Sequence, residues 1–208
     1  MRIGFIGAGH IGGTLARHFI EAGHEVAISN SRGPETLQTL VAELGKRAHA
    51  MTPAQAAAFG DIVVVSIPFG NYKDIPADAL DAKTVVDTNN YYPDRDGHFA
   101  ELDADRITSS ELLQTHLPRA RVVKAFNTQY ARDLAKKGRP SGAGKRVAIP
   151  IAGDDEEAKQ TVARLIDQVG FDVVDEGTLA QGGRHLQPGS PIYGASLTRE
   201  EIQEHLAF

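Results

Sequence analysis

The sequence predicts an α/β fold: a doubly wound parallel sheet with a small C-terminal αβ extension. Three observations predict it. Short runs rich in Val and Ile alternate with amphipathic stretches at helical spacing; a glycine-rich turn joins the first such pair; and the apolar runs are nearly continuous, as in strands buried on both faces. Strand, helix, strand repetition requires crossover connections, which lay helices on both faces of the sheet.

Taken in order, strands are expected at Arg2–Ile6, Glu25–Ser29, 62–67, Thr84–Asp87, 121–126, 146–151 and 171–174. The first helix follows the glycine turn, because Ile11, Leu15, Phe19 and Ala22 recur at helical spacing and Gly23 stops it. A second long helix is expected over 154–169. There Asp154, Asp155, Glu156 and Glu157 complement the positive end of the helix dipole, Ala158, Val162, Leu165 and Val169 form a stripe, and Gly170 ends it. The stretch 136–145 is rich in Gly, Ser and charge and has no apolar face, which predicts an exposed, mobile loop. A soft boundary there divides a larger segment, residues 1–140, from a smaller αβ piece, residues 141–208, packed on it. The irregular stretch 181–194, with four Gly and two Pro, reads as a loop lying over something. No internal repeat or low-complexity tract is found.

Composition removes several classes of function. With 208 residues, 41% hydrophobic and 24% charged, the chain can bury a real core as a globular protein. Its net charge of −5 and lack of any basic stripe argue against a nucleic-acid or anionic-membrane partner. The absence of Cys excludes disulfides, zinc knuckles, iron–sulfur clusters and thiol chemistry. The eight His show no metal-ligand spacing, so no metal is expected. The first strand starts at Arg2, which leaves no room for a secretory signal, and the longest apolar run falls well short of the roughly 20 residues of a membrane span. A cytoplasmic protein is the expectation.

Gly7-Ala8-Gly9-His10-Ile11-Gly12 is a G-x-G-x-x-G turn between a strand and a helix, the context in which the motif binds a dinucleotide. Gly7 permits the tight turn, Gly9 lets the backbone approach a pyrophosphate, and Gly12 allows close packing of helix on sheet. The anion then meets free N–H groups at the positive end of the helix dipole. Residues 1–140 are thus read as a Rossmann domain. His10 and Ile11 stand at the same turn; His10 fits phosphate or ribose and equally a solvated surface position.

An NAD site usually places Asp or Glu about 20 residues past the turn, at the end of the second strand, on the ribose 2′-hydroxyl. Here that place reads Ile28-Ser29-Asn30-Ser31-Arg32, with no carboxylate before Glu35. Arg32 can grip a 2′-phosphate with paired donors, and Asn30 or Ser31 can add an amide or hydroxyl hydrogen bond. The expected cofactor is therefore NADP(H).

Ligands of open α/β sheets lie outside the carboxyl ends of the strands. At those ends Ser66, Ile67 and Pro68 could wall the nicotinamide, although a Pro that simply stops a strand explains them equally. Asn89, in Asp87-Thr88-Asn89-Asn90-Tyr91-Tyr92-Pro93, offers an amide to ribose or carboxamide, and the tyrosines offer a stacking face; an ordinary turn accounts for the Asn pair as well. Phe126, Asn127 and Thr128 close the rim, with Phe126 the one better suited to the core. No nucleophile with its base is present, and Asp94 and Asp96 around Arg95 suggest a local salt bridge rather than catalysis. No catalytic residue is assigned.

Together these residues resemble one family: the 7–12 turn, Ser31-Arg32, Ser66-Ile67-Pro68, Val122-Val123-Lys124-Ala125-Phe126-Asn127-Thr128, and Ile149-Pro150-Ile151-Ala152-Gly153-Asp154-Asp155. It is the family of NADP oxidoreductases that use the deazaflavin coenzyme F-420, itself similar to the cytosolic reductase domain of the STEAP metalloreductases. The resemblance runs from Met1 to about Gly183. It implies a Rossmann domain with a small C-terminal piece, a homodimer, and hydride exchange between NADP(H) and a flavin-like small-molecule acceptor. Two features depart from it: the deazaflavin enzymes typically carry His where Asn127 stands, and the tail 188–208 differs from both groups. F-420, FMN or FAD, a ferric chelate and a quinone all stay open as acceptors. The rival expectation is a non-catalytic NADP(H)-binding redox sensor. Hydroxyacid dehydrogenases and imino acid reductases share the N-terminal pattern but continue into a large helical domain, for which the residues after 145 are too few.

Overall fold

Val and Ile alternate their side chains between the two faces of each strand, so a sheet covered on both sides needs two cores. The computed structural model, which describes residues 1–207, shows both. Its strands are β1 (Arg2–Ile6), β2 (Glu25–Ser29), β3 (Ala48–Ala50), β4 (Ile62–Val65), β5 (Thr84–Asp87), β6 (Arg121–Lys124), β7 (Ala148–Gly153) and β8 (Asp172–Asp175). They form one sheet in the order β3-β2-β1-β4-β5-β6-β7-β8. Helices are α1 (His10–Glu21), α2 (Gln38–Leu44), α3 (Pro53–Phe59), α4 (Pro93–Asp96), α5 (Ala100–Asp103), α6 (Ser109–His116), α7 (Ala131–Lys137), α8 (Glu156–Gln168), α9 (Gly182–His185) and α10 (Arg199–Leu206). No helix among the described residues is long and apolar enough to cross a membrane.

On one face Ile3, Phe5, Val26, Ile28, Val64 and Val123 pack against Leu15 and Phe19 of α1 and Val162, Leu165 and Ile166 of α8. On the other, Ile6, Val63, Val65, Val85 and Val122 meet Leu80, Leu113 of α6 and Leu117 just after it. The strand pairs from β3 through β6 are parallel, which aligns their carboxyl ends along one edge.

Apart from shifts of one or two residues at the ends of β4, β6, β7, β8 and α8, the structure differs from the sequence expectation in four places. β3 escapes a pattern search because it is three residues long and made of Ala-His-Ala, whose side chains favour strands weakly. β7 runs antiparallel to β6, and the two overlap only at Val123↔Gly153 and Lys124↔Ala152, so β7 and β8 continue the same sheet in the reverse direction. Lys136 and Lys137 belong to the last turn of α7, where their charge complements the helix dipole; the exposed turns begin at Gly138. The irregular stretch 181–194 contains the short α9, and Phe208 of the expected tail lies outside the described residues.

Candidate functional site

The glycine turn leaves β1 at Gly7, whose φ of +111° belongs to the left-handed region that a side chain resists. A Cβ there would stand 2.0 Å from the Ser66 carbonyl oxygen, and one on Gly12 would stand 2.4 Å from the Gly7 carbonyl oxygen. These two glycines are required by the protein's own packing. Gly9 is different: a Cβ at this position meets nothing within 4 Å. Gly9 is the residue immediately before α1, so the empty space above it is where backbone N–H groups face out. That cradle fits a pyrophosphate.

Two adjoining clefts meet over this turn and share Gly9, Ser66, Ile67 and Pro68 as walls. The smaller, about 330 Å³, runs from Gly7 to Asn30, Ser31 and Arg32, with Pro53, Asn71 and Asp74 opposite. The larger, about 1020 Å³, runs past His10 and Ile11 to Thr88, Asn89, Asn90 and Asn127, and opens at Tyr92, Arg95, Tyr130, Arg132 and Tyr193. No carboxylate lines the larger cleft, although the chain as a whole is acidic.

The residues after β2 form a tight turn. Asn30 Oδ1 accepts from the Arg32 backbone N–H at 3.0 Å, and its Nδ2 donates to Thr36 Oγ1 at 2.9 Å. The Asn30 amide is thus engaged in holding the turn, while Ser31 and Arg32 are exposed at the end of the smaller cleft.

At the carboxyl ends of β4, β5 and β6 the side chains interlock. Asn89 Oδ1 accepts from the Ile67 N–H at 2.9 Å, tying the loop after β5 to the loop after β4. Asn127 Nδ2 donates to Asn90 Oδ1 at 2.9 Å and to the Leu186 carbonyl. Because the Ile67 N–H can only donate and the Leu186 carbonyl can only accept, both amide orientations are fixed. Asn89 Nδ2 and Asn127 Oδ1 are left buried with no partner among the described residues.

The structure therefore brings Gly7, Gly9, His10, Ile11, Asn30, Ser31, Arg32, Ser66, Ile67, Pro68, Asn89 and Asn127 onto the walls of one groove. Gly12 supports the turn from behind. Phe126 and Thr128 are not on the walls. Phe126 has φ +63°, a strained conformation costing about 1–3 kcal/mol, and its ring lies in the core against Phe19, whereas Asn127, itself buried, borders the groove. Thr128 is buried with its hydroxyl unpartnered among the described residues, and its carbonyl accepts from the Gly194 N–H at 2.9 Å. Of the two tyrosines after β5, Tyr91 turns away to the Gly97 carbonyl and the Asp103 carboxylate, and Tyr92 faces the cleft.

Sequence reasoning missed Tyr193, Tyr130 and Arg132. Tyr193 comes from the irregular stretch that covers the rim, and its only signal was that such a stretch must lie over something. Its hydroxyl accepts from Asn90 Nδ2 at 3.1 Å and meets the Tyr92 hydroxyl at 2.5 Å. Burial, together with the Tyr92 hydroxyl, pushes the Tyr193 phenol well above its ordinary range. Arg95 spans the turn, stacking 5.0 Å from the Tyr92 ring, donating to the Asn90 carbonyl at 2.7 Å and holding Asp96. Burial raises the Asp96 carboxyl, but hydrogen bonds from Arg95 and from the Tyr92 and Gly70 backbone outweigh it and hold the group below the ordinary carboxylate range.

A parallel sheet with this glycine turn, and a groove crossing its strand ends, defines a Rossmann-type dinucleotide-binding protein. Residues 2–91 match the family described as NADP oxidoreductase, coenzyme F420-dependent, and this part of the chain is similar to that family. The chain also belongs to one family with the Sinorhizobium meliloti protein SMa0349, at 32% identity over 96% of this chain and 95% of that one, with a TM-score of 0.81. A provisionally described F420-dependent NADP-reductase of Arthrobacter sp. FB24 is 26% identical over 96% of this chain and 100% of its own, with a TM-score of 0.76. Metalloreductase STEAP3 of Rattus norvegicus is 29% identical over 86% of this chain. The chain spans between a third and three fifths of the length of the first curated relatives it matches.

Proposed function

We propose that this protein is an NADP(H)-dependent oxidoreductase that passes hydride between the nicotinamide and a flavin-like acceptor. The carrying observation is the larger cleft. It begins at the phosphate turn, extends well beyond it, and ends in a chamber walled by Tyr92, Tyr130 and Tyr193 with Arg95 and Arg132 at its mouth. Tyrosine faces suit a planar ring, and a wall without carboxylates suits an anion such as F-420, FMN or FAD.

In this reading Gly7, Gly9 and Gly12 seat the pyrophosphate, Ser31 and Arg32 hold the 2′-phosphate, and Ile67 and Pro68 wall the nicotinamide ring. NADP(H) supplies the hydride when bound, and the protein contributes chiefly position. Asn89 Nδ2 and Asn127 Oδ1 supply an unused donor and acceptor at the rim, the complement of a carboxamide. Residues 1–140 carry the dinucleotide and the smaller C-terminal piece adds Tyr193 to the rim, in a cytoplasmic homodimer.

A redox sensor that binds NADP(H) without turnover would need no space beside the nicotinamide, and the open chamber weighs against it. The test is to mix protein and NADPH anaerobically and follow oxidation with F-420, FMN, FAD, a ferric chelate and a quinone offered separately. Turnover with a flavin-type ring is expected; turnover with none would support the sensor.

A further inference from the structure

We propose that Tyr92 is the proton donor that accompanies hydride transfer, its free O–H being the end of a hydrogen-bond chain running from Asn90 through Tyr193. The inference rests on the larger cleft being the acceptor site. The direction of the chain follows from one backbone group. Asn90 Nδ2 donates to the Asn127 carbonyl at 2.9 Å, and a carbonyl oxygen can only accept, so this atom is a nitrogen and its second hydrogen points to Tyr193 Oη at 3.1 Å. Asn127 Nδ2 donating to Asn90 Oδ1 fixes the same orientation from the other end.

The contact between the Tyr193 and Tyr92 hydroxyls admits either donor; because the Tyr193 oxygen already accepts from Asn90, we assign its O–H as the donor to Tyr92 Oη. Burial favours the neutral phenol of Tyr193, so that proton stays in place at neutral pH. The Tyr92 oxygen is thus an acceptor toward Tyr193, and its own proton has no acceptor among the described residues. Tyr92 is exposed and lines the cleft. When that proton leaves, the oxygen keeps a hydrogen bond from Tyr193, and the Arg95 guanidinium lies 5.0 Å from the ring centre; both stabilise the negative charge left behind. Tyr130 also lines the cleft, with Arg132 5.3 Å from its ring, but its hydroxyl has no partner among the described residues to hold its oxygen as Tyr193 holds that of Tyr92; the remaining titratable groups on the wall are placed for different work. His10 heads α1 at the phosphate turn, and Arg95 and Arg132 do not release protons at neutral pH.

The balance is simple. NADPH, an oxidised acceptor and one proton become NADP⁺ and an acceptor with two more hydrogens. The hydride carries one hydrogen and both electrons to one ring atom of the acceptor; the Tyr92 O–H bond breaks and its proton joins a ring nitrogen. Water at the open mouth then reprotonates the Tyr92 oxygen.

The test is Tyr92→Phe, which keeps the ring under Arg95 and removes the O–H. General acid catalysis contributes typically about 100-fold or more. The turnover number with the best flavin-type acceptor is expected to fall by about that factor, with the solvent isotope effect lost and the effect of 4-deuterated NADPH retained. The NADPH dissociation constant, read by nicotinamide fluorescence, is expected to stay within about two-fold of wild type. Tyr193→Phe, which removes one support of the Tyr92 oxygen, is expected to lose about ten-fold. Without any cofactor, ultraviolet titration of the phenols is expected to show the late-ionising Tyr193 moving to lower pH in Tyr92→Phe. Wild-type turnover and solvent isotope effect in Tyr92→Phe would overturn the donor role alone, as would a Tyr193 phenol that ignores the substitution. A wild-type protein that oxidises NADPH with no acceptor would overturn the proposed function and the donor role together.

Discussion

The Lys124 ammonium and the Asp87 carboxylate stand 3.1 Å apart at the ends of β6 and β5, both at most 1% exposed. The polar atoms around them are engaged. Lys124 Nζ donates to the Asn89 carbonyl at 2.7 Å, Ser110 Oγ donates to Asp87 Oδ2 at 2.7 Å, and the Asn89 N–H donates to Asp87 Oδ1 at 2.9 Å. A buried charge that loses its counter-ion has neither water nor partner, which makes the pair costly to break from one side.

Lys124→Met or Asp87→Leu alone is therefore expected to lower unfolding free energy by about 3–5 kcal/mol, as broken buried pairs do, whereas the double substitution recovers much of that loss. Urea denaturation of the four proteins as a double-mutant cycle checks it. Additive losses would mean that the two charges are not coupled.

Arg32 tests the cofactor preference. No carboxylate occupies the end of β2, and the turn held by Asn30 leaves the Arg32 side chain at the end of the smaller cleft. A hydrogen bond to a charged group is worth about 1.5–3 kcal/mol, so Arg32→Ala is expected to reduce the preference for NADPH over NADH by about 10- to 100-fold. Dissociation constants for both nucleotides, measured at one ionic strength, check it. An unchanged ratio would remove Arg32 from the 2′-phosphate.

How much of this was legible in the sequence depends on how local each feature is. β1, β2 and β5 are found at their full extent, because each is an apolar run bounded by residues that end it. The glycine turn is legible because its constraints act within six positions. The reversal at β7 is not, since the same Val and Ile pattern serves either direction and only the path of 125–147 decides it. Likewise, nothing near Phe126 announces a φ of +63°, at the point where two neighbours part, Phe126 in the core and Asn127 bordering the groove. The Tyr92–Tyr193 contact joins residues 101 positions apart, from two loops with no shared periodicity. Sequence could place Tyr92 at a strand end but could not supply its partner.

The glycines give the sharpest separation of folding from binding. Adding a methyl at Gly12 forces a backbone oxygen at 2.4 Å to move, because that oxygen belongs to the rigid turn of Gly7. Overpacking of this kind costs about 1–3 kcal/mol, and in a chain of this size each kcal/mol lowers the melting temperature by about 2–4 °C. Gly12→Ala is thus expected to melt several degrees lower. At Gly9 the same methyl meets no protein atom, and φ of −75° is open to any residue. Gly9→Ala is expected to melt within about two degrees of wild type, the small loss reflecting Ala as a poor residue ahead of a helix. Its methyl, however, projects into the space assigned to the pyrophosphate, so NADPH binding is expected to weaken at least ten-fold, by roughly 1.4 kcal/mol or more. Thermal melts with and without NADPH separate the two effects: wild type gains stability with the nucleotide, and Gly9→Ala should gain little at the same concentration. A Gly9→Ala protein stabilised by NADPH as strongly as wild type would show that the pyrophosphate does not lie on this turn.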